Sequence, residues 1–262
     1  MRVIGHRVFK DDEPIRPFLT DGTRRLDGVE LDIRSDENDM VWVDHAPIFQ
    51  LRSRRLAHIP KSFHAALHFL SEEIDDLEIL MLDVKSAAAA RALGKYLERR
   101  HVPFSLVFNC WHADEVAALR EYLPGAQIFF CLAPIFARRI PKGRFRDLYV
   151  SNSFPFLSSS RKFKPKLDKT NRHNLNVKLI SSREFEAHLP AGIDGVCVHR
   201  MFCRPELIAF SKRQGLGISV YGLAAAKVKK LDRVSAFADY AIISDRRSAQ
   251  PETTTNSPYI TA

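Results

Sequence analysis

EILMLDVKSAAAARALGKYLERRHVPFSLVF, residues 78–108, contains the repeating unit from which the rest of the chain can be read. Its first seven residues form an apolar run that reaches Asp83 only near its end. After Lys85, the fifteen residues SAAAARALGKYLERR (86–100) are rich in strong helix formers, open on a capping serine and close on arginines suited to a helix C-terminus. FSLVF (104–108) is again short and apolar. Strand, helix, strand, with both strands almost continuously hydrophobic, predicts parallel pairing in a sheet covered on both faces.

Outward from this unit the same rhythm recurs. Upstream lie RVIGH (2–6) and GVELDI (28–33); downstream lie AQIFFCL (126–132), GVCVH (195–199), GISVYG (217–222) and YAIIS (240–244). With EILMLDV and FSLVF these make eight candidate strands. Helical patterns at 61–74, 86–100, 113–122, 181–188, 204–214 and 224–236 fall between them. In the segment 204–215, Pro205 stands near the start and Gly215 just past the end of such a helix. Eight units predict a closed (β/α)₈ TIM-type barrel, an α/β fold, with an open doubly wound sheet as the competing arrangement.

Two stretches depart from the rhythm. Residues 34–60 contain a short strand pattern, MVWVDH (40–45), and residues 147–178 form an elaborated loop between the fifth and sixth units. The polar, Pro/Thr-rich end 249–262 is expected to be a flexible tail, leaving 1–248 as one barrel domain.

The 262 residues, 45% hydrophobic and 27% charged, are those of an ordinary globular protein with a sizeable core. No apolar run is long enough to span a bilayer, and the N-terminus has no secretory h-region, so a cytoplasmic location is expected. Cys110, Cys131, Cys197 and Cys203 lack metal-site spacing; buried free thiols in a reducing compartment are the expected state. The net charge of +9 is uneven, with a dense basic run at 161–178. Such a run is usually a solvated loop. It also leaves room for peripheral membrane contact or attraction of an anionic substrate. Nucleic acid is not expected as a partner, because no recognisable binding module accompanies the charge.

Polar residues gather at the ends of the predicted strands. His6 and Arg7 end the first. Glu30 and Asp32 lie two apart in the second, which puts both carboxylates on one face. Asp83 and Lys85 repeat that spacing in the third, and His45 ends the short strand. Carboxylates converging among Val, Ile, Leu and Met repel one another unless a cation joins them, and oxygen donors suit Mg²⁺ or Ca²⁺. Barrel enzymes carry their sites at this end of the strands. Asn109, Trp111 and His112 follow the fourth strand, and His199 and Arg200 the sixth; substrate contact and a structural role are both open for them.

IGHR, ELDI, VDHAP and LDVK, at residues 4–7, 30–33, 43–47 and 82–85, resemble the motifs of the glycerophosphodiester phosphodiesterase family. More broadly they resemble those of the phospholipase C-like phosphodiesterase barrels. GISVYG and ADYAIISDRR are similar to that family's closing strands. The resemblance implies a phosphoric diester hydrolase that releases a phosphomonoester (glycerol 3-phosphate for the usual substrates) and an alcohol. It implies His6 and His45 as the acid/base pair, and Glu30, Asp32 and Asp83 as ligands of a divalent Mg²⁺ or Ca²⁺ ion. Arg7 and Lys85 would bind phosphate, with Tyr221 lining the pocket where the family has Trp. The chain departs from the family pattern at Val8, at Ala46, at Asp83 in place of Glu, and across 8–27, where the usual Pro-Glu-Asn-Thr segment does not occur. The expected partner is a small-molecule or lipid-derived phosphodiester. Two alternatives are carried forward, a phospholipase D-like lipid enzyme and a non-catalytic barrel that binds a phosphate ligand.

Overall fold

The computed structural model describes residues 1–6, 26–43, 61–73, 77–132, 148–150, 177–179, 189–200, 203, 205–224 and 228–244. Eight parallel strands close a barrel: β1 (Arg2–His6), β2 (Gly28–Ser35), β5 (Ile79–Val84), β6 (Ser105–Cys110), β7 (Gln127–Leu132), β10 (Gly195–His199), β11 (Gly217–Ala224) and β12 (Tyr240–Ser244). Neighbours in this sequence pair with each other, and β1 completes the ring by pairing with both β12 and β2. The (β/α)₈ expectation holds.

The helices follow from local sequence. α1 (Phe63–Glu73), α2 (Ala87–Glu98), α3 (Ala113–Tyr122), α4 (Pro205–Arg213) and α5 (Val228–Ser235) alternate with the strands. Ser86 caps α2 as expected, its Oγ accepting from the Ala89 N–H at 3.1 Å. Gly215, at a φ of +66°, closes the turn after α4.

Side-chain alternation divides each strand between two cores. Outward residues such as Val29, Leu31, Leu80, Leu82, Phe108 and Val196 pack with the helices. Inward residues Ile4, Ile79, Met81, Val107, Phe129, Cys131, Cys197 and Ile242 fill the barrel itself. Phe129 is one of these, and Gly217 leaves it room: a Cβ there would stand 3.1 Å from the ring's Cζ. The interior is thus a packed plug, and chemistry is left to its rim.

Two pieces lie outside the ring. β3 (Val41–Val43) runs antiparallel to β2, pairing with Ile33–Ser35, and β4 (Lys61–Ser62) pairs with β3. The short strand expected at 40–45 is therefore real, and its last two residues lie outside the described residues. β8 (Leu148–Val150) and β9 (Val177–Leu179) form a separate antiparallel pair between β7 and β10, where the elaborated loop was expected. Most of the basic run 161–178 lies outside the described residues, as do 245–262. No helix among the described residues is long and apolar enough to cross a membrane.

Candidate metal and phosphate site

The parallel register brings the acidic residues together. Asp32 pairs with Asp83 across β2 and β5, Asp83 pairs with Asn109 on β6, and His6 pairs with Glu30 across β1 and β2. All of these belong to the inward-facing set of their strands, at the C-terminal half of the barrel. Glu30, Asp32 and Asp83 are buried, and one carboxylate oxygen from each lies within 4.8 Å of the others. They are a group of His, Cys, Asp or Glu side chains, among the described residues, with the spacing to hold a metal ion.

Lys85 reaches over this group from the end of β5. Its Nζ is 2.6 Å from Asp32 Oδ1 and donates also to Asp83 Oδ2. Burial opposes its charge, but Asp83, Asp32 and Glu30 outweigh that and hold the ammonium above its ordinary pKa. Burial likewise pushes the Asp83 carboxyl up, and Lys85 pulls it back down. Three carboxylates against one ammonium leave the pocket acidic, so the donor set fits a hard divalent cation.

Trp111 closes one side. Its indole N–H donates to Asp83 Oδ1 at 2.6 Å, and Lys85 Nζ lies 5.8 Å from its ring centroid. The turn that aims it is held by Glu115, wholly buried in the first turn of α3. Glu115 Oε2 accepts from the backbone N–H groups of Trp111 at 2.6 Å and His112 at 3.0 Å. Burial raises the Glu115 pKa from 4.5 to about 8. The sequence left Trp111 open between substrate contact and a strand-to-helix turn, and the described structure gives it a third task, orienting a carboxylate.

Tyr221 continues the aromatic side, edge-on to Trp111 at 6.4 Å and to His199 at 5.2 Å between ring centroids. Its hydroxyl donates to the Leu132 carbonyl at the long distance of 3.5 Å, and burial raises its pKa. Gly222, next along β11, has a φ of +78°, and any Cβ would strike the His199 imidazole. Burial, with Arg200 beside it, lowers the His199 pKa. His6 stands nearer the carboxylates, its Nε2 3.8 Å from Glu30 Oε2, with about a third of its side chain exposed (30%). Of the residues anticipated from sequence, His6, Glu30, Asp32, Asp83, Lys85 and Tyr221 stand at this rim. Arg7 and His45 lie outside the described residues.

No family model matches the sequence, and no curated protein matches it either. Solved structures do match the fold. A glycerophosphodiester phosphodiesterase from Parabacteroides distasonis superimposes with a TM-score of 0.55 at 13% identity, over 92% of this chain and 92% of that one. An Oleispira antarctica phosphodiesterase, solved in complex with the product sn-glycerol-3-phosphate, matches with a TM-score of 0.55 at 13% identity, over 94% of this chain and 93% of that one. At such identity the likeness establishes a shared barrel, not a shared reaction.

Proposed function

We propose that this chain is a divalent-cation-dependent phosphodiesterase acting on glycerophosphodiester-type substrates. The observation that carries the reading is the buried Glu30, Asp32 and Asp83 group beside His6 at the C-terminal rim of a barrel shared with phosphodiesterases. A hydrolase of this kind adds water across a P–O bond and yields a phosphomonoester and an alcohol.

A divalent ion held by Glu30, Asp32 and Asp83 would supply positive charge against the nonbridging phosphoryl oxygens. Lys85, buried and cationic, adds to that charge, and Arg7 is proposed as a further phosphate contact. His6 and His45 are proposed as the two proton carriers. One accepts the proton of the attacking oxygen, and the other protonates the departing alkoxide. Where a substrate hydroxyl neighbours the phosphate, it can attack in place of water and give a cyclic phosphate. Trp111 keeps Asp83 turned toward the group, and Tyr221 with His199 forms a wall against which the alcohol portion would lie. Cys110, Cys131 and Cys197, buried and not joined in disulfides, accord with work in the cytoplasm, which is likewise proposed.

The test is a panel of glycerophosphodiesters assayed with Mg²⁺ or Ca²⁺ and again with EDTA. Release of glycerol 3-phosphate that EDTA stops and added cation restores is the expected result. A protein that turns over no diester with either ion would end the proposal.

A further inference from the structure

We propose that Asn109 contributes its amide oxygen, Oδ1, as a fourth protein ligand to the cation site of Glu30, Asp32 and Asp83. This rests on the reading of that group as a cation site and adds a residue that none of its motifs contains.

Asn109 is in register with Asp83, which is in register with Asp32, so the three form one row across β6, β5 and β2. On β6 the inward positions alternate with the outward ones: Val107 belongs to the barrel interior, whereas Phe108 and Cys110 pack with the helices. Asn109 therefore faces inward, between Val107 below and Trp111 above, and Trp111 itself reaches Asp83. Asn109 is 2% exposed, and among the described residues its Oδ1 has no hydrogen-bond partner. An amide oxygen removed from water and left bare in a row of carboxylates is costly without a positive partner. Such a neutral carbonyl oxygen is also a ligand that Mg²⁺ and Ca²⁺ accept. It raises the number of donors without adding negative charge to a pocket that already holds three buried carboxylates.

The experiment is calorimetric titration of MgCl₂, CaCl₂ and MnCl₂ into wild type, Asn109→Leu and Asn109→Asp, with urea unfolding of each protein in EDTA. Leucine removes the oxygen at similar volume. Cation affinity should fall on the order of 10-fold or more, at least the loss that follows removal of an outer-shell partner, while the EDTA unfolding midpoint stays level or rises. Aspartate keeps an oxygen and adds charge, so it should bind the cations as tightly as wild type or more so. Asn109→Leu with wild-type affinity and lowered stability would show a purely structural residue and overturn the assignment. Should the leucine variant fail to fold, Asn109→Asp decides: binding as tight as wild type or tighter supports a ligand, and weaker binding refutes it. A wild type that binds none of the three cations would refute the cation site and Asn109's place in it together. Cation binding that survives intact in Asn109→Leu refutes only the latter.

Discussion

Glu115 shows how a single buried carboxyl can govern a site it does not touch. Its elevated pKa, about 8 against 4.5, arises from burial, which the two backbone N–H bonds only partly offset. An acid whose folded pKa lies above its unfolded value holds its proton more tightly in the native state. Stability on this account is full below about pH 4.5 and falls as pH rises through about 8. Urea unfolding followed from pH 5 to 8 should show that decline in wild type and a flatter profile in Glu115→Gln. Trp111→Phe keeps a ring but removes the donor to Asp83; cation affinity or turnover should drop ~10–100-fold, as when an outer-shell partner is lost. His6→Ala should lower turnover by ~10²–10⁴-fold with the circular dichroism spectrum unchanged, if His6 moves a proton. At this scale the shared face of Glu30 and Asp32 was legible from spacing, because residues two apart on a strand share a face, and Asp83 joined them through its place at a strand end and the family resemblance. Asn109, the Trp111–Asp83 bond and the embrace of Lys85 by Asp32 and Asp83 were not, since they depend on which strands become neighbours and on how a turn aims a ring.

Elements at the opposite, N-terminal rim are joined by a repeated device. Asp27 Oδ2 accepts from the Val3 N–H at 2.6 Å, Asp194 Oδ2 from Ile128 at 2.8 Å, and Asp239 Oδ2 from Ile218 at 2.8 Å. Each aspartate precedes one strand and ties down the start of a neighbour. Arg120 on α3 gathers the same region, donating to the carbonyls of Gly192, Pro124 and Ala126 and to Asp194. Arg120→Ala should cost about 1.5–3 kcal/mol, a hydrogen bond to a charged group being worth that much. Thermal unfolding would detect the loss, and the proposed diesterase activity per folded molecule should stay the same because the site is at the other rim. Element reading from sequence did well where a pattern was long: the helix expected at 113–122 has those bounds. It stopped β2 at Ile33 because Arg34 and Ser35 are polar, yet both continue the strand by pairing with β3. It missed β4, since two residues carry no period.

At the scale of the whole molecule, eight strand–helix units favoured closure over the open doubly wound sheet, and the pairing of β1 with both β12 and β2 decides between them. Closure also sets an order of events. Of the eight described barrel strands β1 leaves the ribosome first, and β12, which seals it along Arg2–Gly5, leaves last. At ~5–20 residues per second, the first strand waits on the order of ten to fifty seconds for that neighbour. Throughout that interval β1 presents a bare edge, joined near its end by that of β11, the condition under which nascent chains recruit chaperones or one another. A chain ending at residue 236 makes this state permanent. It should elute from a sizing column as aggregate rather than monomer, and it should gain solubility when residues 237–248 are supplied as a separate peptide during refolding.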